Sequence, residues 1–223
     1  MIHQLAVDAV FCISLSEQQD RRELLKNEFR ELGHEIEFIL VERDAKNPER
    51  GCYRSHQICA QTALKRGYKR VLILEDDATF LNPENRQVAR INRFLRWRNP
   101  QLFYLGGMLG RMWLTPWRNI VRCRLTGTQA YIISRKGCEV LVSHDYTGVA
   151  VDSFFCRAFK AYGTYPMLSQ QQPDVEGESA IAEYRKETHG QKYIKDKDFW
   201  DANFRGQKKN LRKHWMRTLL MRF

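Results

Sequence analysis

Apolar residues come in short blocks along the first third of this chain, each followed by a stretch with helical spacing. Residues 7–15 carry Val10, Phe11, Ile13 and Leu15, a run that predicts a buried strand. Over residues 17–32, Leu24, Leu25, Phe29 and Leu32 share one stripe, predicting a helix stopped at Gly33. A second strand is expected at Ile36–Val41, ending in Glu42, Arg43, Asp44 and Ala45. A polar turn through Pro48 and Gly51 follows, then a helix over residues 52–65 ending at Gly67. The apolar run Val71, Leu72, Ile73, Leu74 predicts a third strand, which leads directly into Glu75, Asp76 and Asp77.

Further on, residues 84–98 predict a helix with Val88, Ile91 and Leu95 on its apolar stripe and Arg86, Arg90, Arg93, Arg96 and Arg98 elsewhere. Strands are expected at residues 102–105, opening into Gly106 and Gly107, and at 130–133, after Gly127, Thr128 and Gln129. Helices begin near Ser134 and around Val151 and Asp152. No structure is assigned to residues 170–200, where neither period is present. Strands alternating with helices imply an α/β fold, with a mostly parallel central sheet and helices on both faces. A chain of 223 residues fits one such domain, placed here at residues 1–204, with 205–223 as a separate C-terminal helix. Ligands of open α/β sheets bind outside the carboxyl ends of the strands. Asp44 and the acidic triplet both fall on that rim.

Composition narrows the partners. Hydrophobic residues make up 43% of the chain, which excludes a disordered chain and supports a packed core. Lys and Arg total 37 against 26 Asp and Glu, a net charge of +11 that points to an anionic partner: nucleic acid, membrane surface or small-molecule substrate. The cysteines Cys12, Cys52, Cys59, Cys123, Cys138 and Cys156 show no Cys-x-x-Cys pair and lie largely in apolar runs, so reduced core thiols in a cytoplasmic protein are expected. The first residues lack the basic and apolar pattern of a signal peptide, and no run reaches the roughly 18 apolar residues of a spanning helix.

Three adjacent carboxylates at the mouth of a buried strand repel one another, and a hard divalent cation with oxygen ligands removes that repulsion. In extended chain Glu75 and Asp77 point to one side and Asp76 to the other, so Glu75 and Asp77, or Asp77 with one partner, form the expected metal pair. A solvated cap on the emerging strand is the alternative.

The ordered set Gly51-Cys52-Tyr53-Arg54-Ser55-His56, Gly67-Tyr68-Lys69-Arg70 and Val71 through Ala78 resembles the signature of glycosyltransferase family 25, which includes bacterial lipooligosaccharide galactosyltransferases. The resemblance extends to Ile13-Ser14-Leu15 with Arg21-Arg22, to Asp44-Ala45, to residues 127–137 and to Val151-Asp152-Ser153-Phe154-Phe155. It implies a GT-A-like fold, a UDP-sugar donor (usually UDP-galactose), Mn2+ or Mg2+, a saccharide or glycolipid acceptor in lipopolysaccharide-type biosynthesis, and inversion at the anomeric carbon. Under this reading Ser14, Leu15, Arg21, Asp44, His56 and Asp76 meet the donor, and Asp152 is the catalytic base. Arg21 and Arg22 on a solvated helix face, Asp44 as a turn residue, His56 as a structural hydrogen-bonder and Asp152 as a helix N-cap are the plainer readings. Asp145 and Glu176 stand as substitutes for the base, and His189 as a third metal ligand. The connection from Asp44 to Gly51 is shorter than the family's, and Gln129 stands where a smaller residue is common.

The last segment, residues 205–223, carries Arg205, Lys208, Lys209, Arg212, Lys213, Arg217 and Arg222, with Leu211, Trp215, Leu219 and Phe223 recurring at i+4. That pattern predicts a basic amphipathic helix suited to an anionic membrane surface, or a terminal helix docked on the core. The expected location is the cytoplasm, peripheral to the inner face of the cytoplasmic membrane. Rival functions are a metal-dependent phosphoryl-transfer enzyme, a basic nucleic-acid-binding protein and an inactive transferase-like protein. The triplet favours a sugar transferase with no nucleic-acid partner.

Overall fold

The computed structural model describes residues 4–81, 83–172, 181, 184 and 195–219. Strand β1 (Ala9–Leu15) leads through helix α1 (Gln19–Glu28) and a 3-10 turn at Arg30–Leu32 into β2 (Ile36–Val41). Gly33, at φ 69°, turns the chain in the left-handed region that a side chain would strain. Helix α2 (Pro48–Lys65) connects to β3 (Arg70–Glu75), followed by the short β4 (Ala78–Phe80) and helix α3 (Asn85–Arg98). Then come β5 (Leu102–Tyr104), the hairpin β6 (Met108–Leu114) and β7 (Ile120–Thr126), and β8 (Ala130–Ser134). Helices α4 (Arg135–Val142) and α5 (Val151–Ala158), strands β9 (Ala161–Thr164) and β10 (Ser169–Gln171), and helix α6 (Lys197–Leu219) complete the described order.

The expected α/β sheet with helices on both faces is present. Its eight strands run β2-β1-β3-β8-β5-β9-β7-β6, and β4 pairs with β10 beside it. The β2-β1-β3 half is parallel. The other half is mixed, because β8 runs antiparallel to β3 and β5, and β7 antiparallel to β9 and β6. One face packs α2, α4 and α5 through residues such as Tyr53, Ala60, Leu141 and Phe155. The opposite face packs α1 and α3 through Leu25, Phe29, Ile91 and Leu95. Val71, Leu72, Ile73 and Leu74 of β3 are fully buried between the two layers. At about 1.5–3 kcal/mol of transfer free energy per large apolar side chain, that strand is a major hydrophobic anchor.

The polar turn expected at Pro48 and Gly51 is instead the first turn of α2. Asn47 caps it by accepting from Arg50 N at 2.9 Å, and Pro48 occupies a first-turn position where its missing N–H costs nothing. Strands β4, β6, β7, β9 and β10 were not predicted. Residues 173–180 and most of 181–194 lie outside the described residues, as do Glu176 and His189. Helix α6 starts at Lys197, so the boundary drawn between 204 and 205 falls inside it. All six cysteines are unpaired with one another, and Cys12, Cys59, Cys123 and Cys138 are buried. Among the described residues, no helix is long and apolar enough to cross a membrane.

Candidate active site

The strand order 2-1-3 reverses direction between β1 and β3, and the crevice at that reversal is where ligands of open α/β sheets bind. Ile13 pairs with Glu75 across the two strands, which sets Ser14 and Leu15 beside Asp76 at the carboxyl rim. A pocket opens there, lined by Ser14, Leu15, Arg21, Asp44, Cys52, His56 and the acidic triplet.

The triplet splits as expected, although only Glu75 belongs to β3 and Asp76 and Asp77 form the turn into β4. Asp76 turns towards β1 and α1: Ser14 Oγ donates to Asp76 Oδ2 at 2.8 Å, and Arg21 Nη1 lies 3.6 Å from Oδ1. Burial raises the Asp76 pKa, against the pull of Ser14 and Arg21. Glu75 and Asp77 face the other way, joined by Gln171, whose Nε2 is 2.9 Å from Asp77 Oδ2 and 3.4 Å from Glu75 Oε2. Gln171 reaches them because β10 pairs antiparallel with β4, setting Gln171 opposite Ala78. Lys195 Nζ donates to Gln171 Oε1 at 2.6 Å and completes this network. Thr128 Oγ1 donates to Glu75 Oε1 at 2.5 Å. Burial works to raise the Glu75 pKa, yet His56, Thr128 and Lys195 together hold it below its usual value. Burial, with Glu75 and Asp76 alongside, pushes Asp77 up to about 7. Asp77 Oδ1 is buried without a hydrogen-bond partner. An orphaned buried carboxylate oxygen beside a second carboxylate suits an oxygen-binding divalent cation, so the residues present fit the expected metal.

The remaining predicted residues fall into place differently. Arg22 donates to the Leu15 carbonyl at 2.8 Å and to Ser14 Oγ at 3.3 Å, tying α1 to the end of β1 instead of lying on a solvated face. Asp44 lines the pocket, but Arg50 clamps it, with Nε 2.7 Å from Oδ2 and Nη2 2.8 Å from Oδ1. That guanidinium and the Lys46 and Asn47 amides hold Asp44 at about 2. Gly51 packs so close that an added Cβ would sit 2.9 Å from Asp44 Cβ. His56 is fully buried, its Nδ1 2.8 Å from Tyr131 Oη and its Nε2 3.5 Å from Glu75 Oε1.

Asp152 is not an N-cap. It sits within the first turn of α5, which Ala150 caps. It accepts from Gly127 N at 3.3 Å and from Ser153 N at 2.6 Å, bracing the turn that presents Thr128 to Glu75. It is not among the residues lining the pocket at the acidic triplet, and Asp145 lines a separate pocket with Tyr53 and His144. Gln171, Thr128 and Lys195 are absent from the predicted site. Thr128 lay in a motif singled out for its resemblance; Gln171 and Lys195 carried no signal in the sequence.

The fold and site define an α/β sheet with a pocket and a buried acidic cluster at its switch point. Residues 41–123 match the model of glycosyltransferase family 25 (LPS biosynthesis protein), the family the sequence resembles. The matched stretch holds Asp44, His56 and the whole triplet, and it supports glycosyl transfer as the general activity; Ser14, Leu15, Arg21 and Asp152 lie outside it. No curated protein matches in sequence. Among solved structures, a protein from STIV aligns at 14% identity over 75% of this chain and 95% of its own, TM-score 0.44. A glycosyltransferase involved in glycosylation of the major capsid of PBCV-1 aligns at 14% identity over 60% of this chain and 63% of its own, TM-score 0.35. UDP-glucose pyrophosphorylase complexed with UDP-glucose aligns at 6% identity over 70% and 72%, TM-score 0.42. At these TM-scores none of the three bears on function.

Proposed function

We propose that this chain is an inverting glycosyltransferase of GT-A-like architecture that moves a sugar, galactose from UDP-galactose in the first instance, to a saccharide or glycolipid acceptor. The observation that carries the reading is the orphaned Asp77 Oδ1 beside Glu75 at the sheet's switch point, inside the family-matched stretch. Glu75 and Asp77 would hold Mn2+ or Mg2+, which supplies positive charge against the departing diphosphate. Ser14 and Leu15 at the end of β1, Arg21 on α1 and the Asp76 they position form one wall for the nucleotide. Asp44 and His56 bound the other. Arg50 keeps Asp44 ionised as an acceptor for ribose or base N–H and O–H groups.

Asp152 takes the proton from the acceptor hydroxyl as its oxygen bonds to the anomeric carbon and the bond to the diphosphate oxygen breaks. Its link to Gly127 also couples acceptor side and metal side through Thr128. The reading places the enzyme in the cytoplasm against an anionic membrane, reached through the basic face of α6, with no nucleic-acid substrate. Calorimetry of UDP with Mn2+ and with EDTA tests the central claim. Binding should need the metal; equal affinity in both buffers would overturn the role of Glu75 and Asp77.

A further inference from the structure

Glu75 has two oxygens that face different neighbours. Oε2 belongs to the Gln171–Asp77 side, whereas Oε1 points to His56 and Thr128. A thiol lies close to His56 and Glu75. Cys52 and His56 are four residues apart on α2 and share one helix face, and Cys52 Sγ, a His56 ring nitrogen and a Glu75 oxygen all lie within 4.8 Å of one another. All three line the pocket.

From this we infer that Cys52, His56 and Glu75 form a binding site for a zinc-class divalent cation, distinct from the position between Glu75 and Asp77. His56 points to it independently. The ring is 0% exposed, its Nε2 has no hydrogen-bond partner, and that nitrogen is aimed at Glu75 from 3.5 Å. Its other nitrogen is 2.8 Å from the Tyr131 hydroxyl, an outer contact of the kind that orients a metal-bound histidine; in the tautomer that donates from Nδ1 to Tyr131, the Nε2 lone pair faces Glu75. Ligand bonds of about 2.0–2.3 Å around a tetrahedron separate the ligand atoms by roughly 3.5 Å, so modest side-chain rotations close the present spacing.

Thiolate with imidazole selects a borderline-soft ion such as Zn2+, where the all-oxygen Glu75–Asp77 side selects Mg2+ or Mn2+. Binding releases the Cys52 thiol proton to solvent and forms the sulfur–metal bond in its place. Three protein ligands would leave room for a further ligand, and all three residues line the pocket. Cys52 and His56 on α2 and Glu75 at the end of β3 would be tied together by such an ion.

The test uses Co2+ as a spectroscopic stand-in for zinc on the purified full chain. One equivalent should produce thiolate-to-cobalt absorption in the near ultraviolet, which Zn2+ bleaches. Cys52→Ser and Cys52→Ala should both lose that absorption with circular dichroism unchanged, and Asp77→Asn should keep it. Absence of the band in the wild-type chain, or its survival in the folded Cys52 variants, overturns the site. The donor reading fails separately: Mn2+-dependent UDP binding that survives in Asp77→Asn overturns that reading, while the cobalt band of the same variant leaves this site standing.

Discussion

Gln171 and Asp77, 94 positions apart, meet at 2.9 Å, Nε2 to Oδ2, and that contact joins the β4–β10 ribbon to the acidic cluster. The amide holds Asp77 next to Glu75 without neutralising either. A hydrogen bond to a charged group contributes about 1.5–3 kcal/mol. Gln171→Ala should therefore weaken Mn2+-dependent UDP binding by roughly tenfold to a hundredfold, since each 1.4 kcal/mol is tenfold. Calorimetry at fixed Mn2+ measures it, and unchanged affinity would show that the network does not orient the cluster.

The raised Asp77 predicts an unusual pH dependence for the metal-free protein. Its folded value is about 7, while an unfolded aspartate titrates near about 3.9. Between those values the folded state holds a proton that the unfolded state has released. The stability this contributes is full below about pH 4 and is lost as pH rises through about 7. Thermal melts in EDTA should show this component declining over that window. Asp77→Asn should flatten it, and Mn2+ should oppose it above neutrality. A slope unchanged by Asp77→Asn would assign the effect to another group.

Asp152→Asn separates catalysis from scaffolding. Asparagine keeps an oxygen for the Gly127 amide, so the turn that presents Thr128 should survive. A general base contributes on the order of 10²–10⁴ in rate, so turnover should fall by that factor while Mn2+-dependent UDP affinity stays the same. Equal loss of donor binding and turnover would make Asp152 a positioning residue only.

The parallel half of the sheet was legible because its strands are continuous apolar runs buried from both faces, as Val71 to Leu74 shows. The hairpin β6–β7 was also readable in principle. Val121, Cys123 and Leu125 are buried between the less buried Arg122 and Arg124, a period of two that the arginine count obscured. The split of the triplet was expected from strand alternation and is seen, with Asp76 facing Ser14 and Glu75 and Asp77 facing Gln171, but a turn at Asp76 and Asp77 produces it. Gln171 was not legible, since only the tertiary pairing of β10 with β4 brings it to the site. The clamp of Arg50 on Asp44 was hidden by the misplaced start of α2, which puts Arg50 on the first helical turn.

The last prediction concerns α6, where one helix meets two demands. Leu211 was expected to enter a lipid interface, but it is 5% exposed and packs in the core. Asn203 and Gln207 donate to the Gly107 carbonyl at 3.4 and 3.0 Å, and His214 Nδ1 lies 3.1 Å from the Met112 carbonyl. One side of the helix is therefore fixed to the β6 region, and deleting residues 205–223 should destabilise the fold and say little about membranes. The opposite side exposes Lys208, Lys209, Arg212 and Lys213, with Trp215 half exposed nearby. Each basic residue adds about 1 kcal/mol at an anionic surface, so replacing these four with glutamate should weaken liposome binding by roughly a thousandfold or more. Their outward placement means the melting temperature should stay close to wild type. Sedimentation with anionic vesicles should also fade with salt, because exposed charges are screened beyond about 8 Å at physiological ionic strength. If the charge-reversed protein still sediments, α6 is not the membrane face. The arginines of α3 beside Trp97, which is 66% exposed, are then the next surface to reverse.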